Sequence, residues 1–122
     1  MTTAGFDTTY APTGAIVLHE MNVESTRADL VRCTARIEFG ARTVVLEATA
    51  SGIIGAMSDI LHDLGVGVEI VEFSQHIDED EVTTYLLCDA GGRRCWSYGI
   101  GGTVDESAVA ALLSGANQLS KG

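Results

Sequence analysis

The fold follows from one stretch of the sequence, LVRCTARIEFGARTVVLEA at residues 30–48. On each side of Gly40 and Ala41, apolar and polar residues alternate, which is the pattern of a half-buried β-strand. A two-residue turn places Ile37 opposite Val44 on an apolar face and leaves the other face mostly polar. The stretch therefore predicts an antiparallel hairpin.

The same order of elements occurs a second time along the chain, so the sequence indicates an internal duplication. Gly91 and Gly92 form the second hairpin turn, in the place that Gly40 and Ala41 hold in the first half. We predict an α+β fold, a pseudo-duplicated β-β-β-α module whose antiparallel sheets have the helices packed on one face. The predicted elements of the first half are strands 15–24, 30–39 and 42–48 and a helix 53–64, and those of the second half are strands 68–77, 82–88 and 93–98 and a helix 104–119.

These elements set the organisation of the chain. Residues 1–14 are predicted to form a flexible N-terminal tail. Residues 15–122 are predicted to form a single domain, with repeat one at 15–65 and repeat two at 66–119. A chain of 122 residues, 46% of them hydrophobic, has room for one core but not for two.

The second hairpin differs from the first because both of its predicted faces are largely apolar. A two-residue turn pairs Cys88 with Cys95 on one face and Tyr85 with Tyr98 on the other. The helix that follows has little polar surface as well. An antiparallel sheet with one solvated face has only one apolar face, so the second apolar face is expected to be buried against another chain. The sequence therefore predicts a dimer. A turn longer than two residues, which would shift the register by one, is the alternative.

The charge of the chain excludes several classes of function. Seventeen acidic and seven basic residues give a net charge of −10, and a chain without a basic surface does not neutralise phosphates or anionic lipid. No apolar run reaches the ~18 residues of a membrane-spanning helix, and the N-terminus lacks the features of a secretory signal. We therefore expect no nucleic-acid partner, no membrane partner and a cytoplasmic protein.

The residue types that carry catalytic or metal chemistry form no recognisable motif. His19, His62 and His76 do not have the spacing of metal ligands. The acidic run at 78–81 lacks the spaced oxygen ligands and the glycine of a calcium loop. The sequence contains neither a nucleophile elbow nor a phosphate-binding loop. We therefore predict no catalytic residue, no metal and no cofactor.

One corner of the chain suits an anion. The segment GIGG at 99–102 follows a predicted strand and precedes a helix that opens with the capping box Thr103-x-x-Glu106. Backbone N–H groups and the helix dipole at such a position can receive a carboxylate. Alone, this feature does not specify a ligand.

Two segments carry a resemblance to a known family. The first is GIIGAMSDILHDLGVGVEIVEFSQH at 52–76, and the second is WSYGIG at 96–101 together with LSGAN at 113–117. They resemble the C-terminal regulatory domain of α-isopropylmalate synthase, which citramalate synthase shares. The resemblance covers residues 15–119 and implies a pseudo-duplicated β-β-β-α module that dimerises.

The resemblance also implies a function. In that family the domain binds the end-product amino acid, leucine in the synthase itself, and thereby inhibits a separate TIM-barrel catalytic domain. It thus implies a stand-alone allosteric domain for feedback control of leucine biosynthesis, with a TIM-barrel acyltransferase as a candidate partner. A barrel takes about 250 residues, so we expect no synthase activity from these 122 residues without a partner barrel.

The family places its effector pockets at the small-residue loop between the third strand and the helix, and on the neighbouring strand. Small residues suit such a site because they let the backbone approach a ligand closely. This chain departs from the family pattern twice: ASGI at 50–53 replaces Gly-x-Gly-Pro, and Ser74 stands where an aromatic residue is common. The effector-binding positions that the resemblance implies are Ala50, Ser51, Gly52, Ile54, Gly55, Val71, Ser74, Gly99, Ile100, Gly101 and Gly102.

Several alternatives stay open at this point. The loop glycines can serve only to shape turns. The chain can be a dimerisation or scaffold subunit of a barrel synthase that binds no ligand. It can also be an independent thiol-dependent enzyme, and Cys88 and Cys95 can form a redox pair if they face each other.

Overall fold

A computed structural model describes residues 3–6 and 16–120. Its elements are the strands β1 (Thr3–Phe6), β2 (Ile16–Ser25), β3 (Val31–Phe39), β4 (Arg42–Ala50), β5 (Glu69–Asp78), β6 (Glu81–Ala90) and β7 (Arg93–Gly101) and the helices α1 (Ile53–Asp63) and α2 (Val104–Ser120). One antiparallel sheet has the strand order β1-β2-β3-β4, and the other has the order β5-β6-β7. The order β-β-β-α thus occurs twice, which confirms the predicted α+β fold. Neither α1 nor α2 is long and apolar enough to cross a membrane.

Both hairpins have the predicted register. In the second hairpin Cys88 lies opposite Cys95, and the first hairpin also pairs as its two-residue turn predicts. Gly91 and Gly92 have φ angles of +60° and +87°, the combination that a type I′ turn requires and that glycine adopts without strain. The alternative of a longer turn is therefore wrong.

The strand β1 lies inside the segment 1–14 that was predicted to be a flexible tail. It pairs antiparallel with β2 and places Phe6 opposite Met21. Its sequence, TAGF, is too short to show the alternation that would predict a strand. The rest of the predicted tail, residue 15 and residues 121–122 lie outside the described residues, and the boundaries of the domain and of its repeats stay predictions.

The helix α1 packs on β3 and β4 of the first sheet. It buries one stripe of side chains, Ala56, Met57, Ile60 and Leu61, at the spacing of an amphipathic helix. The helix ends in a Schellman motif, because the Gly65 N–H donates to the His62 carbonyl and the Val66 N–H donates to the Leu61 carbonyl. This turn directs the chain from α1 into β5.

The helix α2 is covered on several sides. It lies on β6 and β7, and it also contacts α1 and β2. Its first turn has the predicted cap, since the Glu106 N–H donates to Thr103 Oγ1 at 3.1 Å. The low polarity of α2 is therefore explained by contacts within one chain and does not require a second subunit.

Buried hydrogen bonds attach α2 to both repeats. On the second sheet, Ser97 Oγ donates to the Ala111 carbonyl at 2.8 Å. Toward the first sheet, the side chain of Asn117 bonds the main-chain N–H and carbonyl of Ile16 at 2.9 and 3.0 Å. The two repeats consequently share one core.

The first strands of the two repeats are covered unequally. The side chains of Ile16, Leu18 and Met21 on β2 are inaccessible to solvent. On β5, the strand that corresponds to β2, Phe73 is 50% exposed and Ile77 is 64% exposed, although both lie opposite buried residues of β6. The helices therefore leave the inner face of β5 open.

The outer face of the second sheet is apolar, as the sequence predicts. We call the exposed side chains Tyr85, Trp96, Tyr98 and Ile100 the aromatic face. Trp96 is 57% exposed and Tyr98 is 61% exposed, and the ring centres of Tyr85 and Tyr98 are 6.4 Å apart. The dimer that was predicted to cover this face stays a prediction.

Candidate functional site

The corner between β4 and α1 is open and contains small residues. Gly52 precedes the helix in an extended conformation, and no side chain caps the first turn. The first hydrogen bond of the helix runs from the Ala56 N–H to the Gly52 carbonyl at 3.1 Å. The N–H groups of Ile53, Ile54 and Gly55 have no intrahelical acceptor at this position, so the helix dipole ends in an uncapped turn.

A pocket of about 410 Å³ lies between α1 and the start of β5. Its size is within the range of small-molecule sites, roughly 300–1,000 Å³. It combines an apolar wall with a few polar groups and is open to solvent. The lining residues are Ile54, Gly55, Ser58, His62, Val68, Glu69 and Ile70.

The α1 wall of the pocket is one stripe of the helix. Ile54, Ser58 and His62 follow one another at intervals of four residues, so their side chains lie on the same face. The His62 ring rests directly on Gly67, where a Cβ atom would come within 2.5 Å of the ring atom Cε1. Only a residue without a side chain at position 67 leaves space for the His62 imidazole beside the pocket.

The corresponding corner of the second repeat is closed by α2. A Cβ atom on Gly99 would lie 2.5 Å from the Ser107 carbonyl oxygen, and one on Gly101 would lie 2.8 Å from the Ser107 nitrogen. Only Gly102 has open space around its α-carbon. The glycines of β7 thus admit the backbone of a helix, which occupies the volume that a ligand would need.

The structure brings some of the predicted effector positions together and separates the others. Ile54 and Gly55 line the pocket, and a Cβ atom added at Gly55 would lie 3.5 Å from the Cβ atom of Ala50. Ser51 and Gly52 directly precede α1 but are not among the residues that line the pocket. Val71 and Ser74 are exposed on β5 beyond the pocket, while the predicted positions of the second corner do not line it: Gly99, Ile100, Gly101 and Gly102.

Five lining residues were not predicted: Ser58, His62, Val68, Glu69 and Ile70. Ser58 and His62 follow the predicted position Ile54 at intervals of four residues, a spacing that places them on the same face of α1. No comparable signal exists for the strand residues, because their place at the pocket depends on the direction in which the chain leaves α1.

The polar side chains of the pocket are available to a ligand. Within residues 3–6 and 16–120, Ser58, His62 and Glu69 have neither a side-chain hydrogen bond nor an ion pair. The described part of the chain contains no cluster of three His, Cys, Asp or Glu side chains that could hold a metal ion. The pocket therefore offers one carboxylate, one imidazole and one hydroxyl to a bound molecule.

The three thiols lie in surroundings that disfavour the reactive thiolate. Burial, with a smaller effect of Asp105, raises the pKa of Cys33 to about 11. Burial also raises the pKa of Cys88, against the hydrogen bond of Ser97, and the pKa of Cys95. All three cysteines are free, and protonated thiols are poor nucleophiles.

Comparison with known proteins relates the chain to part of a biosynthetic enzyme. No protein-family model matches it. The 2-isopropylmalate synthase of Corynebacterium glutamicum is 30% identical over 112 residues, which cover 88% of this chain and 18% of that enzyme. The Corynebacterium efficiens enzyme is also 30% identical, with 88% and 19% covered, and that of Renibacterium salmoninarum is 25% identical over 109 residues, with 86% and 19% covered.

These matches confirm the resemblance that the sequence carries at 52–76 and 96–117. The chain spans less than a fifth of the length of the synthases that it matches. The activity of those enzymes therefore belongs to much longer chains. This protein is a homologue of one segment of 2-isopropylmalate synthase.

Proposed function

We propose that the chain is an allosteric domain of the 2-isopropylmalate synthase type, which binds an amino-acid effector for feedback control of leucine biosynthesis. The observation that carries the proposal is the pocket between α1 and β5 in a homologue of that enzyme, because two of the predicted effector positions, Ile54 and Gly55, line it. Leucine is the first candidate effector, and a TIM-barrel synthase is the candidate catalytic partner.

The lining of the pocket suits a small branched amino acid. Ile54, Val68 and Ile70 form an apolar wall for an aliphatic side chain. At the start of α1, the Gly55 backbone is part of the lining, and free N–H groups of a first turn favour a carboxylate. An amino-acid zwitterion has both of these features in one molecule.

The closed second corner argues for one effector per chain. The backbone of α2 fills the space above Gly99 and Gly101, so binding there would require the helix to leave its sheet. The proposal therefore assigns the effector to the first repeat, with Ile54 and Gly55 as the predicted positions that retain a role.

The proposed partners include a second copy of the chain. The aromatic face carries Tyr85, Trp96 and Tyr98 in solvent, and exposed apolar patches of this kind usually mark an interaction surface. Each chain has a net charge of −10, so the interface between two copies that costs least is one that buries an uncharged surface. The aromatic face is such a surface.

Calorimetric titration tests the function. Leucine, isoleucine, valine, lysine and the corresponding 2-oxo acids are titrated into the protein, and one of the amino acids should bind with a stoichiometry near one per chain. A ligand at a hundredfold excess over its dissociation constant should stabilise the fold by about 2.7 kcal/mol. No heat and no thermal shift at millimolar ligand would contradict the proposal.

A matched pair of variants locates the site. Ser58→Leu fills the pocket from the α1 wall and should abolish binding. Asp59→Leu adds the same side chain at the next residue, which is exposed and does not line the pocket, and should leave binding unchanged. If the chain captures a barrel synthase but neither wild type nor variant binds an amino acid, the scaffold alternative replaces the proposal.

A further inference from the structure

One charged side chain sets the electrostatics of the pocket. Glu69 is the first residue of β5, is exposed, and is the only acidic residue among those that line the pocket. The lining contains neither lysine nor arginine. The opposite wall, on α1, presents the hydroxyl of Ser58 and the ring of His62.

The negative charge of Glu69 is not neutralised by the neighbouring strand. Its strand partner is Asp89, itself acidic. The arginine beside Asp89 is already engaged, because Arg94 Nε donates to the Asp89 carboxylate at 2.9 Å and this hydrogen bond lowers the pKa of the Asp89 carboxyl. In the described part of the chain, no cation forms an ion pair with Glu69.

We propose that Glu69 is the specificity-determining residue of the pocket, where it binds the ammonium group of an α-amino acid and rejects the 2-oxo acid with the same carbon skeleton. This inference rests on the proposed function and adds the group that distinguishes the two ligand classes. Both ligands present the same carboxylate and the same aliphatic side chain. They differ only at the α-carbon, where one carries a cation and the other a carbonyl.

The physical basis is the sign of the charges. A hydrogen bond from an ammonium group to a carboxylate is stronger than one between neutral groups. A 2-oxo acid offers Glu69 no donor, and the negative charge of its carboxylate, which no ammonium group balances, is repelled by Glu69. The first turn of α1, where the proposed function places the carboxylate of the zwitterion, contributes Ile54 and Gly55 to the wall opposite Glu69.

The test compares leucine with 4-methyl-2-oxopentanoate by calorimetry at one pH and one ionic strength. Wild-type protein should bind leucine at least about tenfold more tightly than the oxo acid, since hydrogen bonds to charged groups contribute ~1.5 kcal/mol or more. Glu69→Gln should weaken the binding of leucine, so that the affinities for the two ligands differ by no more than about threefold. Glu69→Lys should reverse the preference. Glu72→Gln, on the same strand but outside the pocket, is the control and should retain the wild-type ratio.

The outcomes separate this inference from the proposed function. If Glu69→Gln binds leucine as wild type does, with the same preference over the oxo acid, the inference is wrong and the proposed function stands. If wild-type protein binds neither compound, both fail. Far-UV circular dichroism checks that each variant is folded. Because Glu69→Gln and Glu69→Lys each test the ligand preference, the inference stays testable if one of them does not fold.

Discussion

The side-chain amide of Asn117 closes a two-hydrogen-bond ring with the main chain of Ile16. Its Oδ1 accepts from the Ile16 N–H at 2.9 Å, and its Nδ2 donates to the Ile16 carbonyl at 3.0 Å. The two residues are 101 positions apart and both are buried. The first strand of one repeat is thus fixed to the last turns of the helix of the other.

Asn117→Ala should destabilise the protein by about 2–4 kcal/mol, because it leaves a buried N–H and a buried carbonyl without partners. Urea unfolding followed by circular dichroism measures the change. Gln118→Ala alters the neighbouring exposed residue and should cost no more than about 0.5 kcal/mol. Equal effects of the two substitutions would show that the ring contributes nothing specific.

Gly99→Ala should destabilise the fold by about 3 kcal/mol or more, because overpacking against backbone atoms cannot be relieved by a rotamer change. The added Cβ would lie 2.5 Å from the Ser107 carbonyl oxygen and would also clash with the Ala111 nitrogen. Gly102→Ala is the matched control, since no atom lies within 4 Å of its Cβ position. Thermal melts compare the stability of both variants with that of wild type. A Gly99→Ala protein as stable as wild type would refute the close approach of α2.

The titration of Cys33 should make the stability fall at high pH. Burial raises its folded-state pKa from the ordinary thiol value of 9.0 to about 11, so between these pH values the folded state retains a proton that the unfolded state loses. The protonated thiol makes its full contribution to the free energy of unfolding below pH 9, and this contribution is lost as the pH rises to 11. The free energy of unfolding should therefore fall by about 2 kcal/mol over this interval. Urea titrations in reducing buffer at both ends of the interval measure it. Cys33→Ala should show a shallower loss, and identical slopes for the two proteins would contradict the assignment.

The aromatic face should determine the oligomeric state. Light scattering at micromolar concentration should give twice the chain mass for wild type and the single chain mass for Trp96→Ser/Tyr98→Ser. Val45→Ser removes an apolar side chain that is 63% exposed on the first sheet and should leave the dimer intact. A monomeric wild type would remove the second copy from the proposed partners.

Local features of the sequence were sufficient to predict both hairpins. Alternation of apolar and polar residues fixes which side chains share a face, and a two-residue turn fixes which residues lie opposite each other, as Cys88 and Cys95 do. The same reasoning found the apolar outer face of the second sheet. It found nothing at β1, because four residues carry no period.

The candidate site was only partly predictable, because a glycine shows that something approaches the backbone without showing what it is. At Gly99 and Gly101 the neighbour is α2, whereas at Gly55 one side is left to the pocket. Glu69 could not be assigned from sequence either. Its place opposite the helix follows from the turn that Gly65 makes, and the direction of that turn is a property of the assembled fold.

The ring between Ile16 and Asn117 has a consequence for synthesis of the chain on the ribosome. The first repeat is translated before α2, and until α2 has been made β2 lacks the contacts that this helix contributes at Ile16. Contacts between such distant positions slow folding, because the intervening chain must first be ordered. The two halves therefore do not mature independently, because the burial of the start of β2 is completed only when α2 has emerged.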